Sequence, residues 1–307
     1  PAAFEAPGFS AARHAITMPV RVHCEDTTPW GHVRLESLVA FGERIRSLSL
    51  KQIMDVSLAD LKEQKLAILA TEYVVEIVGT SFRVLDTLII DTTPEFPSAP
   101  LFPWDIKMSA EDGTLYAQGC FGLNLCKISD SGEYSGVDEH RYREFTKDMM
   151  KWTNPSRSRF SPVGLRFHNA YAPAGAPFRP TGRSEAAYRV RAADCDLYNV
   201  LFQARVPSFL ELCHPRHDAM AFYVNIRMSV RPGDEFAVHV LFDDAAALFI
   251  CLRGKDPVLA AFGQYGAPRP MSQEAVKCGS VRLPLLLRFC AGGARPAPCE
   301  DFDLSLL

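Results

Sequence analysis

The sequence predicts an α+β protein built from two copies of one unit, each a long central helix wrapped by a curved antiparallel sheet. Three observations predict it. The order strand, polar turn, helix, four strands runs through the chain twice. In the first copy the helix carries an apolar stripe at steps of three and four residues, the period of a helix packed on one side. The two copies also close alike, on residues 115–119 and 259–263. A helix followed by antiparallel strands buries its stripe only if the sheet curls around it, which removes both apolar faces from water. The division expected is 1–137, a helix and linker over 138–183, and 184–307.

In the first copy, residues 20–23 alternate as a strand and 25–32 form a polar turn. Leu35, Leu38, Val39, Phe41, Gly42, Ile45, Leu48, Ile53 and Met54 then mark the helix, with Glu36, Glu43, Arg44, Arg46 and Lys51 off that stripe. Strands are expected over 67–78, 80–91, 101–110 and 114–128, rich in Val, Ile, Phe and Leu. The turn Glu111-Asp112-Gly113 joins the last two as a hairpin.

In the second copy, residues 186–191 form the strand and 193–199 the turn. The helix is expected over 200–213, shorter than its counterpart and bearing Pro207 in its middle turns, where a kink or break would follow. Strands are expected over 221–231, 235–243, 246–254 and 258–265, with the turn 231–234 joining the first two. Between the copies lie a charged helix pattern, 138–152, and a connector rich in Pro, Gly, Ala and Ser, 154–183. One apolar segment, 281–289, is expected to dock in the tail.

Composition removes several classes of function. At 307 residues, 48% hydrophobic and 22% charged with a net charge of -3, the chain has the profile of a folded globular protein. Lys and Arg are scattered rather than gathered in a basic, aromatic-laced groove, which argues against nucleic acid. The apolar runs at 245–252 and 283–287 fall far short of the ~20 residues that cross a bilayer. No leader pattern opens the sequence, so the reading is cytoplasmic. Nine cysteines without a C-x-x-C pair suit reduced thiols. His214 and His217 flank Pro215 without a third ligand, so a surface turn is favoured over a metal, and no cofactor is expected.

Both copies resemble the hotdog thioesterases related to 4-hydroxybenzoyl-CoA thioesterase and the acyl-carrier-protein thioesterases. In the second copy the resemblance rests on Val190-Arg191-Ala192-Ala193-Asp194-Cys195-Asp196-Leu197-Tyr198-Asn199-Val200-Leu201-Phe202, close to an Asp-Cys-Asp-x-x-Gly-x-Val-Phe signature with Asn199 where glycine is common. In the first it rests on residues 22–33, ending in Gly31-His32-Val33, and on Phe41-Gly42-Glu43-Arg44-Ile45-Arg46. It covers about two thirds of the chain and specifies fold better than substrate. The resemblance implies hydrolysis of an acyl thioester carried by coenzyme A or an acyl carrier protein, in fatty-acid, polyketide or aromatic acyl metabolism. It also implies a chain that is a monomeric pseudo-dimer or a homodimer.

The family's catalytic carboxylate falls on Asp196 in the second copy and on Thr28 in the first. One competent and one degenerate site is the natural inference, with Glu25 or Asp26 as substitutes if the first turn winds differently. Thioester cleavage needs a carboxylate acting as base or nucleophile and a donor for the oxygen that becomes negative. The amides of Tyr198, Asn199 and Val200, at a helix entrance, could be such donors, and the Asn199 side chain another. Tyr198 and Val200 would line the acyl pocket, with Thr28, Trp30, Gly31 and Glu43 contributing from the first copy. Asp196 could equally be a helix-cap or Asx-turn residue worth ~1 kcal/mol. Asp194 reads as structural, and Cys24 and Cys195 as small packed residues. His32 is either a substrate-facing donor or a satisfied turn histidine. Glu43 matches a helix position where some relatives place a glutamate, but a solvated pair with Arg46 is favoured.

Two other functions stay open. A hotdog dehydratase would need a His-bearing Gly-Pro loop and an Asp-x-x-x-His helix, which the sequence lacks. A non-hydrolytic acyl-binding or acyl-transfer module of a biosynthetic assembly line is motivated by Thr28 and the short second helix.

Overall fold

The computed structural model describes residues 8–10, 15–28, 32–79, 84–94, 101–147, 181–214, 219–226, 228–242 and 244–266. The chain divides into two compact units.

The first unit runs β1 (Gly8–Ser10), β2 (Ala15–Arg21), α1 (Leu35–Met54), α2 (Leu58–Glu63), β3 (Leu66–Ile77), β4 (Thr87–Pro94), β5 (Leu101–Ala110), β6 (Leu115–Ile128), β7 (Tyr134–Gly136) and α3 (Glu139–Thr146). Its strands lie in the order β1-β2-β4-β5-β6-β3, with β7 on β6. The second runs β8 (Gly182–Arg189), α4 (Arg205–Cys213), β9 (Ala219–Ile226), β10 (Glu235–Phe242), β11 (Ala246–Arg253) and β12 (Asp256–Tyr265). Its strands lie in the order β8-β10-β11-β12-β9. That path repeats β2-β4-β5-β6-β3 strand for strand, and in both units the helix stands between the first strand and the one that ends at the far side of the path.

The apolar stripe explains why α1 forms where the periodicity places it. Leu35, Leu38, Val39, Phe41, Ile45 and Leu50 are buried, and the helix packs on β2 and β4. Burying a side chain of this size stabilises by about 1.5–3 kcal/mol, so the stripe, not intrinsic propensity, holds the helix. Gly42 lets it approach the sheet. A β-carbon built there would stand 2.7 Å from Ile106 Cδ1 and 3.1 Å from the Phe121 ring. The helix ends where Asp55 turns left-handed, at φ 53. In the second unit the packing is aromatic: Phe209 of α4 stacks on Tyr188 of β8 with ring centroids 4.7 Å apart and meets Phe236 of β10 edge-on at 5.6 Å.

Four expectations are corrected. The second helix begins at Arg205, not 200, because Leu201 is tied to Cys195 by an isolated β-bridge. Pro207 therefore stands in the first turn, where its missing N–H costs nothing and no kink follows. Strand β4 begins at Thr87 rather than 80; Leu85, at φ 76, makes a turn by donating its N–H to the Val22 carbonyl at 2.7 Å. The third helix is shorter than its charge pattern suggested, ending at Thr146. The segment expected over 67–78 forms one strand, Leu66–Ile77, and the 111–113 hairpin is present, with Gly113 at φ 85. Most of the connector and the tail segment 281–289 lie outside the described residues. No helix among those described is long and apolar enough to cross a membrane.

Candidate active site

Each unit enters its helix through a short 3₁₀ turn, at Cys24–Asp26 and Ala192–Asp194. The two entrances share several bonds among the described residues. The His23 amide donates to Asp26 Oδ2 at 3.0 Å and the Arg191 amide to Asp194 Oδ2 at 2.8 Å. The Thr28 amide donates to the His32 carbonyl at 2.7 Å and the Asp196 amide to the Val200 carbonyl at 2.9 Å. Bridges Thr27 to Val33 and Cys195 to Leu201 close the loops. Thr28 thus stands where Asp196 stands, and His32 where Val200 stands.

The correspondence extends to the side chains. Thr28 Oγ1 accepts the His32 amide at 3.3 Å. Asp196 Oδ1 accepts the equivalent Val200 amide at 3.3 Å and the Tyr198 amide at 2.8 Å. The hydroxyl and the carboxylate therefore do the same capping work on the same backbone group. At that one amide a neutral threonine serves where half-buried Asp196 brings a carboxylate, which also accepts the Tyr198 amide.

The amides that the sequence offered to a developing oxyanion are committed to the turn. Tyr198 and Val200 donate to Asp196 Oδ1, and the Asn199 amide donates to the Asp196 carbonyl at 2.9 Å. Asn199 has φ 60, a left-handed conformation in which asparagine and glycine are tolerated best. That is the physical reason a signature position commonly glycine can carry Asn here. Asn199 is exposed, whereas Tyr198 and Val200 are each 6% exposed.

Two residues before Asp196 stands a structural carboxylate. Asp194, 3% exposed, accepts the Tyr188 hydroxyl at 2.9 Å and the Arg191 guanidinium at 2.9 and 3.1 Å. Burial works against its charge, but the Arg191 guanidinium and amide and the Tyr188 hydroxyl outweigh it and hold the carboxyl below its usual range. Cys195 is no nucleophile at neutral pH. Burial, then the charges of Asp196, Asp194 and Asp234, push its thiol up to about 11.

In the first unit His32 is half-buried, and among the described residues its Nδ1 has no hydrogen-bond partner. Trp30 and Gly31 lie outside the described residues. Glu43 is bonded to Arg46 as expected, but the pair is not solvated: the side chains are 7% and 3% exposed. The reason is their place on α1, on its buried side with Phe41, Gly42 and Ile45 rather than on the exposed side with Arg44 and Leu48. The sequence reading missed Tyr116, whose hydroxyl accepts the Val33 amide at 2.8 Å and anchors the entrance of α1 to β6. The matched endings 115–119 and 259–263 were the available signal, but they mark a strand rather than a role. No cluster of His, Cys, Asp and Glu able to hold a metal occurs among the described residues.

No protein-family model matches the chain, and no curated protein matches its sequence. Solved structures do match its fold. A putative oleoyl thioesterase from Lactobacillus plantarum is similar with TM-score 0.65 and 12% identity, over 83% of this chain and 97% of that one. The 12:0-ACP thioesterase from Umbellularia californica is similar with TM-score 0.64 and 8% identity, over 82% and 97%. An acyl-ACP thioesterase from Bacteroides thetaiotaomicron is similar with TM-score 0.60 and 10% identity, over 84% and 100%. At these identities the likeness is one of fold, and the fold is the double hotdog.

Proposed function

We propose that the protein is a thioester hydrolase acting on an acyl group carried by an acyl carrier protein or coenzyme A, with Asp196 as its working carboxylate. The observation that supports this is the pair of equivalent entrances: Thr28 caps the His32 amide without a charge where Asp196 caps the amide of Val200. The fold match with thioesterases over more than four fifths of the chain supports the same reading, as analogy.

Asp196 takes a proton from a water that attacks the thioester carbonyl carbon. The tetrahedral intermediate then collapses, the carbon–sulfur bond breaks, and the thiol leaves with a proton while the carboxylic acid remains. With the turn amides spent on Asp196, the exposed Asn199 side-chain amide is the donor available to the carbonyl oxygen. Tyr198 and Val200 present the apolar wall. In the first unit His32 is a ligand contact rather than a base, since Thr28 supplies no carboxylate beside it.

A second reading, a non-hydrolytic acyl-binding module, is favoured by one observation. Asp196 Oδ1 already serves two amides, as a simple Asx turn would require. Free thiol released from acyl-CoA and acyl-carrier substrates separates the two. Hydrolysis by the full chain that falls about 100-fold in Asp196→Asn supports the hydrolase. Release that persists in the variant removes Asp196 from the mechanism, and tight binding without release supports the module.

A further inference from the structure

In the second unit a single loop holds both legs of the turn that carries Asp196. Before the turn, the Val190 amide donates to the Asp234 carbonyl at 2.9 Å and the Gly233 amide to the Val190 carbonyl at 2.8 Å. After it, the Leu201 amide donates to the Val230 carbonyl at 2.7 Å. Leu201 is bridged to Cys195, so residues 230–234 grip the turn from both ends, with Asp196 between them. One side chain closes the loop. Asp234 Oδ2 accepts the Arg231 amide at 2.9 Å, which ties the 231–234 turn, and it accepts Nη1 of Arg253, at the end of β11, at 3.0 Å.

The first unit supplies the control. Its Leu85 amide donates to the Val22 carbonyl at 2.7 Å and its Val22 amide to the Asp86 carbonyl at 3.0 Å, so Asp86 stands where Asp234 stands. Two things differ. The Val33 amide, equivalent to that of Leu201, goes to the Tyr116 hydroxyl of β6 instead of to the loop. The register also replaces the arginine. Leu88 pairs with Ala110 at the end of β5. Ala237 pairs with Leu252, which sets Phe236, the counterpart of Leu88, opposite Arg253. A loop that grips both legs, and an arginine at the end of the strand beside it, thus belong to the unit that has the carboxylate.

Stability does not explain the Arg253–Asp234 pair. Its side chains are 38% and 26% exposed, and ion pairs that water reaches add little to a fold. Geometry is what the pair can fix, because Asp234 offers its carboxylate to Arg253 and its carbonyl to the strand that leads into the turn. We propose that Arg253, acting through Asp234, is a positioning residue for Asp196. It holds the loop, the loop holds the turn, and the turn holds the carboxylate. Misplacing a reacting group by about 1 Å can slow a step about 100-fold, so a loosened grip is felt in turnover before it is felt in folding. That Asp196 does chemistry rests on the hydrolase reading; the grip on its turn does not.

The test uses Arg253→Met and Arg253→Lys in the full chain, each with Asp196 intact and with Asp196→Asn. In the intact background Arg253→Met is expected to lower kcat for thiol release about tenfold while KM stays within about twofold of wild type. Arg253→Lys, which keeps a cation for Asp234, is expected to recover most of that loss. The residual rate of Asp196→Asn is expected to be the same with and without Arg253→Met. No loss, or an equal loss in both backgrounds, overturns the proposal, since a general loss of folded enzyme scales both rates alike. Hydrogen exchange reads the grip without turnover. The Val190 and Leu201 amides are expected to exchange about tenfold faster in Arg253→Met, while those of Val22 and Val33 in the first unit keep their rates. Unchanged exchange overturns the proposal whatever the kinetics. Faster exchange at Val190 and Leu201 in a protein that releases no thiol, or whose release survives Asp196→Asn, sinks the hydrolase reading alone.

Discussion

Thr28 and Asp196 are the most informative pair of residues in the chain, because each caps the same amide of the same turn and only one is charged. The sequence placed these two positions in correspondence through their flanking residues. It could not show that the hydroxyl and the carboxylate share a structural task, since that depends on which amides fold back. Asn199 carries a similar lesson. Its left-handed backbone at φ 60 was invisible in the sequence except as an asparagine at a position where glycine is common. Backbone and chemistry separate there. Asn199→Gly is expected to keep the thermal midpoint within a degree or two while slowing thiol release about 100-fold through loss of the side-chain donor. Asn199→Val, forcing a β-branched residue into the left-handed region, is expected to cost about 1–2 kcal/mol in a denaturant titration.

Tyr116 makes a pH prediction. Burial, partly offset by the Val33 amide, pushes its phenol up to about 12 from an ordinary value of 10.0. The fold thus favours the protonated phenol. Its contribution is fully present below pH 10 and is lost as pH rises through about 12. Thermal melts of wild type and Tyr116→Phe should differ by about 1–3 kcal/mol at pH 9, the variant being weaker because the Val33 amide loses its acceptor. The gap should narrow above pH 10; a gap that stays constant or widens would show that the phenol is not the source.

At the scale of elements, long periodic segments were legible and irregular ends were not. Helix α1 and strand β5 fall where their patterns placed them, because a full apolar stripe or an alternating run leaves one favourable packing. The start of α4 was misplaced because the chain from 200 to 204 is shaped by the Cys195–Leu201 bridge, a tertiary contact without a periodic signature. The late start of β4 has the same kind of cause. Leu85 holds a left-handed conformation and is 60% exposed. Its counterpart in the second unit is Gly233, at φ 91, which donates to the Val190 carbonyl as Leu85 donates to that of Val22. Leucine pays strain there without gaining burial. Leu85→Gly is expected to raise stability by about 1 kcal/mol, read from the denaturant midpoint, and a loss would show that the leucine packs.

For the whole molecule, the repeated path β2-β4-β5-β6-β3 and β8-β10-β11-β12-β9 was readable because the order of elements, rather than residue identity, recurs. What diverged between the copies is chemistry. The first unit has a longer helix, a histidine at its entrance and a buried Glu43–Arg46 pair; the second has a short helix and the carboxylate. The buried pair was not legible because charge in a helix pattern ordinarily marks a solvated face, and only packing reverses that.

The central claim is that the charge on Asp196 serves chemistry and not the turn, and Asp196→Thr addresses it most directly by giving the second entrance the residue the first already uses. Thermal midpoint and thiol release from acyl-CoA and acyl-carrier substrates are measured together on the full chain. The account predicts an unchanged midpoint with release slowed at least about 100-fold. Release at the wild-type rate with the midpoint unchanged would contradict it.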